Sequence, residues 1–213
     1  MARLEDIAAH GKDKVVTPLD GDPRLVRCMF KNRADKNIEK LARGTHLLQK
    51  IANIMFPELM PKVVAFGQDP ATNDYFMDVE RAELDALHLH TYETPFQHKR
   101  PDATEHNTHE LEYYKKQYGR TSHGRDRLLE RVEQAGFPVE FYERNWSLAG
   151  GKTKYLDMEA PWSSKNKGMV RRYDPVALEK SISMIADLAK HNAAQTLLKE
   201  LLELESGIHI EKA

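Results

Sequence analysis

A chain of 213 residues and 24.5 kDa is long enough to bury one sizeable core or to form two small lobes. Its 40% hydrophobic and 31% charged content excludes disordered and fibrous classes, and 32 basic against 33 acidic residues leaves no net field to draw it onto nucleic acid or an anionic membrane. The lone Cys28 excludes an intramolecular disulfide, no run approaches the roughly 18 apolar residues of a membrane span, and the opening Met1-Ala-Arg-Leu-Glu-Asp6 lacks the apolar centre of a secretory signal, so a soluble, cytoplasmic protein is expected.

In chain order, Gly11-Lys-Asp-Lys-Val-Val16 places one glycine before a strand. Lys14–Leu19 and Arg24–Lys31 read as a hairpin about Asp20-Gly21-Asp22-Pro23, because Asp-Gly between apolar strands is a strong turn signal. A helix is predicted from about Asp35 to Met55, where Ile38, Leu41, Thr45, Leu48 and Ala52 recur at the spacing of one buried stripe; Pro57 and Pro61 end it. Lys62–Phe66 and Asp74–Val79 follow as strands, joined by a polar loop holding Gly67, Pro70 and Asn73. Residues 85–108, rich in His, Thr and Pro, read as a connection.

Helical character returns in Glu110–Gln117 and more firmly in Arg125–Ala135, where Leu128, Leu129 and Val132 form the apolar face and Gly136 and Pro138 close it. Trp146–Leu148 and Thr153–Leu156 read as a second hairpin, and Ser163–Arg172 as an irregular basic stretch. Asp174-Pro175 is an N-cap with proline at the first helical position, and the helix is expected to run to about Glu205 with a break near His191-Asn192. Strands, helix, strands, then mostly helices around one hairpin make an α+β arrangement of two unequal lobes, with ligands expected in the crevice between them.

The chemistry concentrates at the second hairpin. Asn145 enters it and Asp157 leaves it twelve residues later. Amide and carboxylate oxygens are hard ligands, suited to holding Mg²⁺ against nucleotide phosphates. Together with the element order, this segment resembles the protein-kinase-like superfamily over about residues 8–160, in particular its small atypical members such as RIO-type, Bud32-type and lipopolysaccharide-type kinases.

The resemblance implies a two-lobed fold: residues 1–83 as a small β-rich N-terminal lobe with one long helix, and 84–213 as a reduced helical C-terminal lobe. It implies ATP and Mg²⁺ as cofactors and an acceptor hydroxyl on a protein, sugar or small molecule. Lys31 matches the strand lysine on the α- and β-phosphates, with Arg27 as the fallback on the alternate register. Glu39 stands nearest to the lysine's helix partner, or else is a first-turn glutamate favoured by the helix dipole; Gly44 and Thr45 occupy the places where an acid would fit better. Gly11 is all that stands for the glycine-rich loop, where Lys12 and Lys14 would add charge. Asn145 and Asp157 match the metal-binding pair.

Glu140 stands where the family has its catalytic aspartate, and Met158-Glu159 replaces the family's Phe-Gly after Asp157. These departures keep a second reading open, a pseudokinase used as a nucleotide- or protein-binding module. Residues 78–83 would be the hinge between lobes, with Met77 either near the purine or in the core.

Two further groups carry possible chemistry. His88, His90, His98, His106 and His109 include metal-ligand spacings, which gives a third reading as a histidine-rich zinc protein; without cysteines or a recognised motif, polar surface residues are the simpler account. Lys165, Lys167, Arg171 and Arg172 beside Trp162 would attract an acidic or phosphate-bearing partner, or form a solvated loop.

Overall fold

The structure, a computed structural model, describes residues 9–10, 14–30, 37–82, 130–139, 146–149, 152–155, 158, 160–165, 168–208 and 210. The predicted connection at 85–108 and the helix at Glu110–Gln117 lie outside these residues. The architecture is α+β.

The first half forms one antiparallel sheet from β1 (Ala9–His10), β2 (Lys14–Leu19), β3 (Asp22–Phe30), β4 (Val63–Gln68) and β5 (Tyr75–Glu80), in the order β1-β2-β3-β5-β4. Helix α1 (Ile38–Met55) connects β3 to β4, so the chain leaves the sheet after its first three strands and returns at the far edge. The predicted Asp20-Gly21 turn joins β2 to β3, with Gly21 at φ 85°. Alternation along the strands sends Val26, Cys28 and Phe30, together with Met77 and Val79 opposite them, onto Ile38 and Ala42 of α1.

Helix α1 buries more than the single stripe its spacing predicts. Ala42 meets the sheet, while Leu47, Leu48, Ile51 and Ala52 enter the main core with Val132, Phe137, Tyr155, Met158, Trp162, Leu178, Ile182, Leu198 and Leu201. The helix is therefore packed between two layers. Its end is pinned by side chains: Gln49 donates to the Pro61 carbonyl at 2.9 Å and Asn53 to that of Met60 at 2.8 Å.

In the second half, helix α2 is described at 130–134 and closes at Gly136, φ 94°, as its sequence predicts. Hairpin β6 (Trp146–Ala149) and β7 (Lys152–Tyr155) pairs as expected. The stretch read as irregular is a second hairpin, β8 (Trp162–Lys165) and β9 (Gly168–Arg171), with Lys165 opposite Gly168. Its strands lack clean apolar alternation, so the pattern did not announce them. Helices α3 (Pro175–Ser183) and α4 (Leu188–Ser206) complete the chain. The Asp174 side chain accepts from Val176 and Ala177, the predicted cap. The helical break falls at Met184–Asp187, not near His191-Asn192, because Asp187 caps α4 through the Lys190 amide. His191 is helical, and its Nδ1 lies 3.0 Å from the Ile182 carbonyl.

Gly44 explains how α1 meets the β8–β9 hairpin. A Cβ there would stand 2.5 Å from Trp162 Cζ3 and 2.7 Å from Pro161 Cγ, and both residues are buried. Alanine would gain about 1 kcal/mol of helix propensity, but overpacking a rigid core costs about 1–3 kcal/mol. Gly44→Ala is expected to lose up to about 2 kcal/mol net in urea unfolding. A gain would mean that the tryptophan yields.

Candidate functional site

Two bonds fix the end of β7 and a third holds the chain just beyond it. The Tyr155 amide donates to the Leu59 carbonyl at 2.9 Å, and Lys154 Nζ donates to the Pro57 carbonyl at 3.3 Å, tying β7 to the turn after α1. Tyr155 and Met158 are buried in the main core. Across from them, Lys14 Nζ donates to the Met158 carbonyl at 2.9 Å, spanning 144 positions of sequence.

Lys14 opens β2 and pairs in register with Phe30, the last residue of β3. The bond therefore joins the start of β2, beside the end of β3, to the chain just beyond the hairpin. In sequence, Lys31 follows Phe30 and Asp157 precedes Met158.

Lys31, Gly11, Lys12, Glu140, Asn145, Asp157, Glu159, Lys167 and the histidines at 88–109 lie outside the described residues. Glu39 is described. It is exposed in the first turn of α1, and its carboxylate bears electrostatically on Tyr75 of β5. Burial, and then the nearby Glu39 carboxylate, raise the Tyr75 phenol above its ordinary value.

Arg27, the fallback for the phosphate lysine, alternates onto the sheet face away from α1. There its guanidinium is held by both oxygens of the buried Asp78, at 2.8 and 2.9 Å, and lies 3.9 Å over the Phe76 ring. Met77 is plain core, buried between sheet and helix. At the expected hinge, Asp78 is thus committed to an ion pair, and the Arg81 amide extends the ladder by donating to Arg24.

The basic hairpin gives up Arg171 as well. Arg171 donates to Glu205 of α4, and the same buried carboxylate accepts from Tyr173 Oη at 2.5 Å and Trp162 Nε1 at 3.2 Å. No spacing rule announces this hub, since its members lie 32 to 43 positions from Glu205.

His46 of α1 is the remaining unusual group. Its ring stacks on Phe66 of β4 at 4.6 Å, and its buried Nδ1 has no hydrogen-bond partner. Burial, then the charges of Lys50 and Arg43, lower its pKa to about 4. Because the folded value lies below the unfolded one, stability is fully present above about 6.5 and is lost as pH falls towards about 4. The expected loss is on the order of 2 kcal/mol, after discounting for solvent at the half-buried ring. Urea unfolding at pH 7 and pH 5 checks it, and His46→Phe should flatten this pH dependence.

No protein-family model matches the chain, and no curated protein matches it. Among the described residues, no helix is long and apolar enough to cross a membrane, and no three His, Cys, Asp or Glu side chains are grouped to hold a metal ion.

Proposed function

We propose that the chain is a minimal kinase-like phosphotransferase that moves the γ-phosphoryl group of Mg-ATP to a hydroxyl acceptor. The observation that carries this reading is the junction at Lys14. A meander, a crossover helix and two returning strands build a sheet in which Lys14, the first residue of β2 and the register partner of Phe30, is bonded to the Met158 carbonyl beyond a hairpin 144 positions away in sequence.

In this reading Lys31 draws the α- and β-phosphates, Glu39 orients that lysine, and the backbone at Gly11 borders the phosphates. Asn145 and Asp157 are the oxygen donors for Mg²⁺, a donor set that fits a hard cation. The bound ion would neutralise phosphate charge as it develops. Glu140 takes the acceptor proton while the acceptor oxygen bonds to the γ-phosphorus, and the bond from that phosphorus to the bridging oxygen breaks to release ADP.

Calorimetric titration of the folded chain with ATP, with and without Mg²⁺, tests the reading. Magnesium-dependent binding is expected. Binding with no metal requirement would favour the pseudokinase alternative, for which Glu140 and the missing glycine after Met158 already speak. Absence of binding would overturn the phosphotransferase reading and leave the pseudokinase only as a protein-binding module.

A further inference from the structure

Strand β4 is an edge of the five-stranded sheet: among the described residues it pairs with β5 alone, and its Val64 is 54% exposed. We propose that this edge is a self-association surface, through which two copies of the chain join their sheets by antiparallel pairing of β4 with the partner's β4 about a two-fold axis. The proposal goes beyond the nucleotide reading and does not depend on it.

The bonds to β5 fix which backbone groups face the edge. Asp69, just past β4, donates its amide to the Asp74 carbonyl at 2.8 Å, and Gly67 and Ala65 follow at alternate positions, opposite Phe76 and Asp78. In an antiparallel ladder, residues alternate between exchanging bonds with the neighbouring strand and pointing N–H and C=O the other way. Ala65, Gly67 and Asp69 are therefore committed to β5, and Phe66 and Gln68 turn their backbone groups outward. Two outward residues separated by one are self-complementary. With Gly67 on the axis, Phe66 exchanges both bonds with the partner's Gln68, and Gln68 does so with the partner's Phe66. This register uses only the regular part of the strand, since the irregularity lies between Val63 and Ala65. It also sets Gly67 against the partner's Gly67 as a non-bonded pair, the closest approach in such a ladder at about 4.5 Å between Cα atoms.

Charge favours the antiparallel sense. β4 is preceded by the exposed Lys62 and followed by Asp69, so antiparallel pairing brings unlike ends together, whereas parallel pairing would set lysine beside lysine. Between these ends the strand Val63–Gln68 carries no charge and no proline, the features that commonly guard an edge. A second copy is the fitting occupant because it supplies both halves of each match, the outward residues and the unlike ends. A stable dimer buries about 1,200–2,000 Å², more than one short strand offers, so the association is expected to be reversible and concentration-dependent.

Sedimentation velocity of the full chain over about a hundredfold range of concentration, joined to residue-resolved amide exchange, is the test. The average mass should rise from that of the 24.5 kDa chain towards twice that value. At high concentration, exchange at the Phe66 and Gln68 amides should slow about tenfold, whereas the Gly67 amide, already bonded to β5, should not change. Gln68→Pro removes an outward donor and no bond to β5, and edge strands accept proline where the N–H faces solvent; it should weaken association about tenfold or more. Gln68→Ala loses the same side-chain bond to the Asn73 carbonyl but keeps the amide, and should associate as the wild type does. Where the proline variant does not fold, Val64→Lys places a charge on the edge and should likewise weaken association. A chain monomeric throughout would overturn the proposal, and Phe66 and Gln68 amides already protected in that monomer would mean that the edge is filled from within the chain. A dimer that survives both Gln68→Pro and Val64→Lys would place the interface elsewhere and overturn it equally.

Discussion

Glu205→Ala is expected to lower the stability of the chain by about 3 kcal/mol and its melting temperature by about 6–12 °C. Three donors converge on this carboxylate: the Arg171 guanidinium, the Tyr173 hydroxyl and the Trp162 indole N–H. Tyr173 and Trp162 are 4% and 1% exposed, so each would be left as an unpaired buried donor at about 1 kcal/mol or more. Arg171 is 42% exposed at its side chain and would recover water, which keeps the total at the lower end for broken buried pairs. Glu205→Gln retains an acceptor and should cost less.

The same site carries a pH signature. Burial works to raise the Glu205 pKa, but hydrogen bonds from Arg171, Tyr173 and Trp162 outweigh it and hold the carboxyl below its ordinary value. A depressed carboxylate contributes stability above its unfolded pKa and loses it as pH falls through the folded one. The acid limb of unfolding should therefore flatten in Glu205→Gln, and urea midpoints from neutral to acid pH would read it. Tyr173 is raised by burial and then by its bond to Glu205, so it remains a donor throughout this range.

What was legible in the residues was local. Asp20-Gly21 fixed a turn, Asp174-Pro175 fixed a helix start and Gly136 fixed a helix end, each because one backbone conformation or one cap is served by a few residue types. Contacts between distant elements were not legible. Trp162 finds its strand by pairing with Arg171 across a hairpin without apolar alternation, and its depth by resting on Gly44, which is far from it in sequence. Helix α1 read as having one buried stripe because the period reports a face, not the number of layers packed on it. At the candidate site, the resemblance named Asn145, Asp157, Lys31 and Glu140 but cast Lys14 only as loose charge. Its bond to Met158 depends on the register of β2 with β3, which follows from the fold.

Asp157→Ala is expected to abolish phosphoryl transfer, by about a thousandfold or more, while leaving the chain folded. The expectation of an intact fold comes from the described neighbours: Tyr155 and Met158 are buried, the Tyr155 amide is bonded to the Leu59 carbonyl, and the Met158 carbonyl accepts from Lys14. The expectation of lost transfer comes from charge. A carboxylate is the strongest donor the reading assigns to the metal, and an amide at 145 without it offers a hard cation one neutral oxygen. Asn145→Ala should therefore weaken magnesium dependence by less than Asp157→Ala does. Transfer would be followed by loss of γ-phosphate label from ATP to the chain's own Ser163 and Ser164 and to added hydroxyl acceptors. Undiminished turnover in folded Asp157→Ala would remove Asp157 from the site, whereas a wild type that binds Mg-ATP and transfers nothing would make Glu140 the residue at which the catalytic arrangement has been lost.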